Sequence, residues 1–171
     1  MNKLLKKISL NKETIGVFGL GYIGLPLALN LSRKKIKVLG FDIDKEKINN
    51  LKKNKSYLSH IKSKEISYAK KKGFIATNDF SLVVNLDVII ICVPTPLKKN
   101  KAPDLSFIKK TIKSISKYLK KNQFISLEST TYPGTTKEII LPIIKNKGLI
   151  PGKNFFLAFS PERLDPGIKS L

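Results

Sequence analysis

Three glycines in the stretch GVFGLGYIGLPLALN, residues 16–30, carry the first chemical signal. Gly19, Gly21 and Gly24 stand in the spacing G-x-G-x-x-G, after an apolar run and at the head of an amphipathic one. Each position has a physical reason. The first glycine permits a tight turn from strand to helix. The second lets a pyrophosphate approach the backbone, and the third lets the helix lie close to the sheet. The helix start then offers unpaired N–H groups and the positive end of its dipole to an anion. Asp42 closes the next apolar run, IKVLGFD, where its carboxylate can accept from the adenosine ribose hydroxyls. A ribose 2′-phosphate would meet that carboxylate. No arginine follows to offset it, the next residues being Ile43 and Asp44, so NAD is expected over NADP. Lys47 is near enough to reach a ribose or phosphate oxygen, and on so lysine-rich a segment it reads equally well as a solvated side chain.

Further polar groups sit where other strands are expected to end. Thr95 lies between two prolines in PTPL. Thr130, Thr131 and Tyr132 precede a Pro-Gly turn. Glu162 and Arg163 follow the last apolar run in SPERLDPG. In an open α/β sheet ligands collect beyond the carboxyl ends of the strands, so three such turns on one edge point to a site. Cys92 lies inside the apolar run DVIIICV with no neighbouring cation to lower its pKa, and reads as a buried, inert thiol. His60 lies in a loop-like segment that marks it neither as ligand nor as base. With one cysteine and one histidine, no zinc site is expected.

The elements that must hold these groups alternate in type. TIGVFG, IKVLGFD, FIAT, DVIIICV, QFISLES and NFFLAF read as strands. The continuous apolar character of DVIIICV is that of a strand covered on both faces. Between them, GYIGLPLALNLSRKK, with Ile23, Leu27 and Leu31 at helical spacing, reads as a helix whose Pro26 falls harmlessly in the first turn. Helices are also expected over DKEKINNLKKN, over IKSKEISYAKKKG with Gly73 as its stop, and over PDLSFIKKTIKSISKYLKK. In the last, Asp104 is the expected N-cap and Ile108, Ile112, Ile115 and Leu119 form the apolar stripe. TTKE at 135–138 has capping-box spacing. Residues 1–12 read as a mobile basic lead-in and 13–171 as one domain. The alternation predicts an α/β, Rossmann-like, doubly wound parallel sheet with helices on both faces.

Composition narrows the partners. The 171 residues carry 33 Lys and Arg against 12 Asp and Glu, a formal charge of +21, yet Arg33 and Arg163 are the only arginines. Base readout and bidentate phosphate contacts favour arginine. The lysines are dispersed, and their abundance with Asn and Ile matches AT-rich coding. Neither a nucleic acid nor a membrane partner is expected; the surface field should still draw phosphorylated anions. No apolar run is long enough to span a bilayer, no cleavable leader is evident, and the single cysteine excludes an internal disulfide, so a cytoplasmic protein is expected.

Taken together, GVFGLGYIGLPLA, FDID, CVPTPL with PDLS, ESTTYPGTT and FSPERLDPG resemble the N-terminal half of the UDP-glucose/GDP-mannose (nucleotide-sugar) 6-dehydrogenase family, from about residue 14 onward. PERLDPG is closer to its UDP-N-acetylhexosamine members, since Pro166 stands where UDP-glucose members carry a second Glu. The resemblance implies that Tyr22, Ile23, Asp42 and Thr95 contact NAD. It places Thr131 near the nicotinamide holding a catalytic water, Glu162 as general acid/base, and Arg163 and Leu164 on the sugar nucleotide. It further implies oxidation of a UDP-sugar C6 alcohol to the acid with two NAD, through a thioester on a cysteine and with a lysine. Both of those lie in motifs of the family's later portion that are not found in this sequence. The chain is therefore expected to be the cofactor half, incomplete for catalysis unless joined by a separate C-terminal half or in a homodimer. The alternative is a stand-alone NAD-binding module.

Overall fold

A computed structural model describes residues 3–145 and 147–161. Six strands form one sheet: β1 (Thr14–Phe18), β2 (Lys37–Phe41), β3 (Ile75–Thr77), β4 (Val88–Ile91), β5 (Phe124–Leu127) and β6 (Phe156–Phe159). Their order is β3-β2-β1-β4-β5-β6 and every pair is parallel. Parallel strands need crossovers, and helices α2 (Gly24–Arg33), α3 (Lys45–Lys52), α4 (Ser63–Lys71), α5 (Ser106–Ser116) and α6 (Leu141–Lys145) supply them. The strand order reverses direction between β1 and β4, which is the topological switch point. This is the doubly wound sheet that the alternating pattern predicts.

The two faces of the sheet bury separate cores. One gathers Val17, Leu25, Leu29, Val38, Leu51 and Ile66 beneath α2, α3 and α4. The other gathers Phe18, Phe41, Ile89, Ile112, Ile125 and Phe155 beneath α5 and α6. In α5 the stripe Ile108, Ile112 and Ile115 is fully buried as its spacing predicts; the helix ends at Ser116, leaving Leu119 half-buried beyond it.

Several local expectations are corrected. Residues 3–9 form helix α1 rather than a mobile tail: Leu4 is buried in the first core, and the Lys7 ammonium lies 2.6 Å from Asp87 Oδ1, while the other oxygen of Asp87 accepts the Thr14 N–H. In α2 the buried residues are Leu25, Ala28, Leu29 and Ser32, whereas Ile23, Leu27 and Leu31 are half-buried. The buried face is thus the one that carries Gly24, rotated from the Ile23, Leu27, Leu31 face that the spacing predicts. Asp104 accepts the Ser106 N–H, but Leu105 occupies the cap position. No capping box forms at 135–138. Thr135 is itself helical and its hydroxyl donates to the Tyr132 carbonyl, while Glu138 accepts the Tyr132 hydroxyl. A π-helical turn, Thr136–Ile140, leads there into α6. The 3₁₀ helix Phe80–Asn85 was not signalled by periodicity.

Candidate functional site

The carboxyl ends of β1, β2 and β4 are level, with Phe18 beside both Phe41 and Ile91. The ladder runs on past the strands: the Gly19 N–H donates to Phe41 O, the Cys92 N–H to Phe18 O, and the Glu128 N–H to Ile91 O. The turns after β1, β2, β4 and β5 are thereby pinned around one cleft of about 950 Å³. That is within the range of small-molecule and cofactor pockets. Its floor is aromatic, with the Phe18 and Phe41 rings stacked at 4.3 Å and Phe80 tilted against both.

The three glycines are distinct in space as well as in spacing. Gly19 has φ +91°, and a Cβ there would lie 2.7 Å from the Cys92 carbonyl oxygen. At Gly24 a Cβ would lie 1.8 Å from the Gly19 carbonyl oxygen, so only glycine lets α2 begin there. A Cβ at Gly21 would meet nothing within 4 Å, and Gly21 lines the cleft. Two glycines are thus demanded by the protein, and the third is demanded by nothing among the described residues. The start of α2 has no side-chain cap and no acidic residue in its first turn. Leu25 N–H already donates to Gly21 O and Pro26 has no N–H, so at the helix start it is the Gly24 N–H that has no acceptor among the described residues and is available to an anion.

Asp42 is buried, 8% exposed, at the end of β2. Its Oδ2 accepts the Leu20 N–H at 2.9 Å and its Oδ1 the Asp44 N–H at 2.9 Å. The Lys47 ammonium lies 3.4 Å from Oδ2, so Lys47 is partnered rather than simply solvated. Asp44 caps α3 by accepting from Glu46 and Lys47. The carboxylate of Asp42 holds the glycine turn and still has acceptor capacity toward the cleft.

Opposite Asp42, the cleft is walled by the turns after β4 and β5. The Thr95 hydroxyl donates to Thr130 O at 2.7 Å and the Ser129 hydroxyl to Val93 O at 2.6 Å, locking the two turns together. Of the residues singled out from the sequence, Gly19, Gly21, Tyr22, Ile23, Asp42, Lys47 and Thr95 line the cleft. Thr131 does not; its hydroxyl turns to the Tyr132 carbonyl, and Thr130 faces the cleft instead. Glu162, Arg163 and Leu164 lie outside the described residues. Cys92 is half-buried and lines the cleft, which corrects the expectation of a fully buried thiol: the apolar strand ends at Ile91 and Cys92 begins the turn.

Part of the wall carries no motif in the sequence. Phe107, Lys110, Thr111 and Ser114 bring one side of α5 to the cleft, and Glu128 and Ser129 extend the end of β5. The i, i+3, i+4, i+7 spacing of the α5 residues is the signal that could have found them. Tyr57 was also missed. Its hydroxyl donates to Leu20 O at 2.6 Å, and burial, with Asp42 and Asp44 nearby, pushes its phenol far above the ordinary range. Tyr22 is 60% exposed and stacks on His60 at 5.3 Å. Among the described residues, no cluster of three or more His, Cys, Asp or Glu could hold a metal, and no helix is long and apolar enough to cross a membrane.

A glycine turn at the switch point, a helix start open to anions and an acidic residue ending β2 define a dinucleotide-binding α/β domain. Residues 13–170 match the NAD binding domain of the UDP-glucose/GDP-mannose dehydrogenase family, and the chain belongs to that family. It is 38% identical over 158 residues to Protein CapL of Staphylococcus aureus, covering 92% of this chain and 36% of that protein. It is also 38% identical over 156 residues to the UDP-N-acetyl-D-glucosamine 6-dehydrogenase of Pseudomonas aeruginosa, covering 91% and 36%. Among solved structures, the NDP-N-acetyl-D-galactosaminuronic acid dehydrogenase of Methanosarcina mazei superposes with a TM-score of 0.82 at 34% identity, over 96% of this chain and 38% of that one. The chain spans about a third of the length of the curated relatives it matches.

Proposed function

We propose that this chain is the cofactor half of an NAD-dependent 6-dehydrogenase that oxidises the C6 alcohol of a UDP-N-acetylhexosamine to the uronic acid, for the building of surface polysaccharide. The observation that carries the reading is Gly21, a glycine the packing does not require, set at the cleft between Asp42 and Thr95. The residues fit the cofactor in order along the cleft. Asp42 accepts from the adenosine ribose and disfavours a 2′-phosphate. The Gly21 backbone and the start of α2 receive the pyrophosphate, with Tyr22 and Ile23 flanking it and Lys47 within reach. Thr95 and the turn containing Thr131 lie toward the nicotinamide end. When bound, NAD supplies the hydride acceptor. Glu162 is assigned the acid/base role and Arg163 and Leu164 the sugar nucleotide, following the family resemblance of PERLDPG. We take 13–171 as the domain, completed by a separate C-terminal half or within a homodimer. Its lone cysteine favours the cytoplasm.

The test has two arms: calorimetric titration with NAD, and NADH formation from UDP-N-acetylglucosamine with and without the C-terminal portion of a relative. Binding in the first arm, with turnover only in the mixture, is expected. No NAD binding by the folded chain overturns the reading. Binding with no turnover in either mixture makes it a cofactor-binding module without chemistry.

A further inference from the structure

Leu20, the residue between the first two glycines of the turn, is held at all three of its handles. Its N–H donates to Asp42 Oδ2. Its side chain is fully buried against Gly40, where even a Cβ would come within 2.9 Å of Leu20 Cδ2. Its carbonyl accepts the Tyr57 hydroxyl at 2.6 Å. Tyr57 comes from the connection between α3 and α4, thirty-seven residues away in sequence. The same connection sets His60 against Tyr22, so it braces the turn at two successive points. Tyr57 also lines a smaller cleft that shares Gly21, Tyr22, Asp44 and Lys47 with the larger one.

We propose that Tyr57 is a positioning residue for the cofactor pyrophosphate: by holding the Leu20 carbonyl, it fixes the direction in which the Gly21 N–H points. The inference rests on the cofactor reading above. The Leu20–Gly21 peptide is planar and trans, so its C=O and N–H point in opposite directions. Anchoring the carbonyl on Tyr57 turns the N–H away from Tyr57, and among the described residues no acceptor takes that N–H. Glycines on both sides of Leu20 give this turn more backbone freedom to lose on binding than other residues there would. A hydrogen bond that orders it beforehand removes that loss from the binding step. The phenol donates throughout the neutral range, since a tyrosine hydroxyl is protonated there.

Tyr57→Phe in the full chain removes the donor and keeps the ring. NAD and ADP-ribose are expected to bind about five- to tenfold more weakly, the effect of one hydrogen bond. Adenosine, which lacks the pyrophosphate, is expected to change less than twofold. Ile112→Val, in the opposite core, is the control for a general loss of stability and is expected to leave all three affinities unchanged. In the unaltered chain, backbone relaxation by NMR should show Leu20 and Gly21 as rigid as β1, a readout that needs no variant. Full NAD affinity in folded Tyr57→Phe, or a mobile Leu20–Gly21 peptide in the unaltered chain, overturns the clamp alone. Equal weakening of adenosine and NAD overturns the positioning role by assigning Tyr57 to general stability. An unaltered chain that binds no NAD overturns the cofactor reading and the clamp with it.

Discussion

Replacing Gly21 by valine separates what the cofactor needs from what the fold needs. Gly21 is not among the residues with left-handed φ, and a Cβ there meets no atom within 4 Å. The folded chain should accept the side chain within about 0.5 kcal/mol, as at an ordinary surface position. The same side chain would occupy the space in which a pyrophosphate meets the backbone. Charge-assisted hydrogen bonds contribute about 1.5–3 kcal/mol each. Displacing the phosphates from two N–H groups therefore costs about 3–6 kcal/mol, or about 10²–10⁴ in affinity. Gly24→Ala should do the reverse. Its Cβ would sit 1.8 Å from the Gly19 carbonyl, and no flexible side chain can yield. Overpacking of this kind costs about 1–3 kcal/mol or more in stability. The assays are calorimetric titration with NAD and a thermal melt for each variant. Retained NAD affinity in a folded Gly21→Val chain would refute the reasoning, as would a Gly21→Val chain that melts as early as Gly24→Ala.

Three other outcomes are expected. Asp42→Ser should weaken NAD about 10-fold or more, because the ribose and the Leu20 N–H lose an acceptor; it should also narrow the gap to NADP, since the Lys47 ammonium stays beside the vacated position, and adding Lys47→Ala should reopen that gap in competitive titrations. Tyr57 is held protonated in the folded chain more strongly than in the unfolded one, so its contribution to stability is complete below about pH 10 and is lost as the pH rises further; urea midpoints above that pH should fall more steeply for the unaltered chain than for Tyr57→Phe, and parallel curves would contradict this. Deleting residues 1–12 removes the burial of Leu4 and the partner of Asp87, costing about 2–4 kcal/mol, and an unchanged melting temperature would restore the view of that segment as a tail.

What the sequence showed and what it concealed divide along local and distant interactions. The glycine spacing, the acidic residue after β2 and the stripe of α5 are each set within a short stretch of chain, and the structure places them as their spacing predicts. Leu20 and Tyr57 meet across thirty-seven residues, and no local pattern announces that bond. Helix α1 was hidden for a related reason: a lysine-rich heptad looks solvated until Asp87, eighty residues on, is seen to receive Lys7. The capping box at Thr135 failed for a local reason instead: Thr135 is itself helical with its hydroxyl donating to Tyr132 O, and Glu138 accepts from the Tyr132 hydroxyl six residues back. Thr131 and Thr130 are adjacent and of the same type, and sequence alone could not say which faces the cleft.

The two cores differ in when they can exist. Apart from half-buried flanks contributed by Ile90, Cys92, Phe124 and Phe156, the core under α2, α3 and α4 draws every residue from the stretch that ends at Val88. The core under α5 and α6 needs residues as late as Phe155. Chains emerge from the ribosome N-terminus first. The face that carries the glycine turn, Asp42 and Tyr57 therefore has all its fully buried side chains made by Val88, whereas the face under α5 and α6 lacks part of its core until Phe155 has been added.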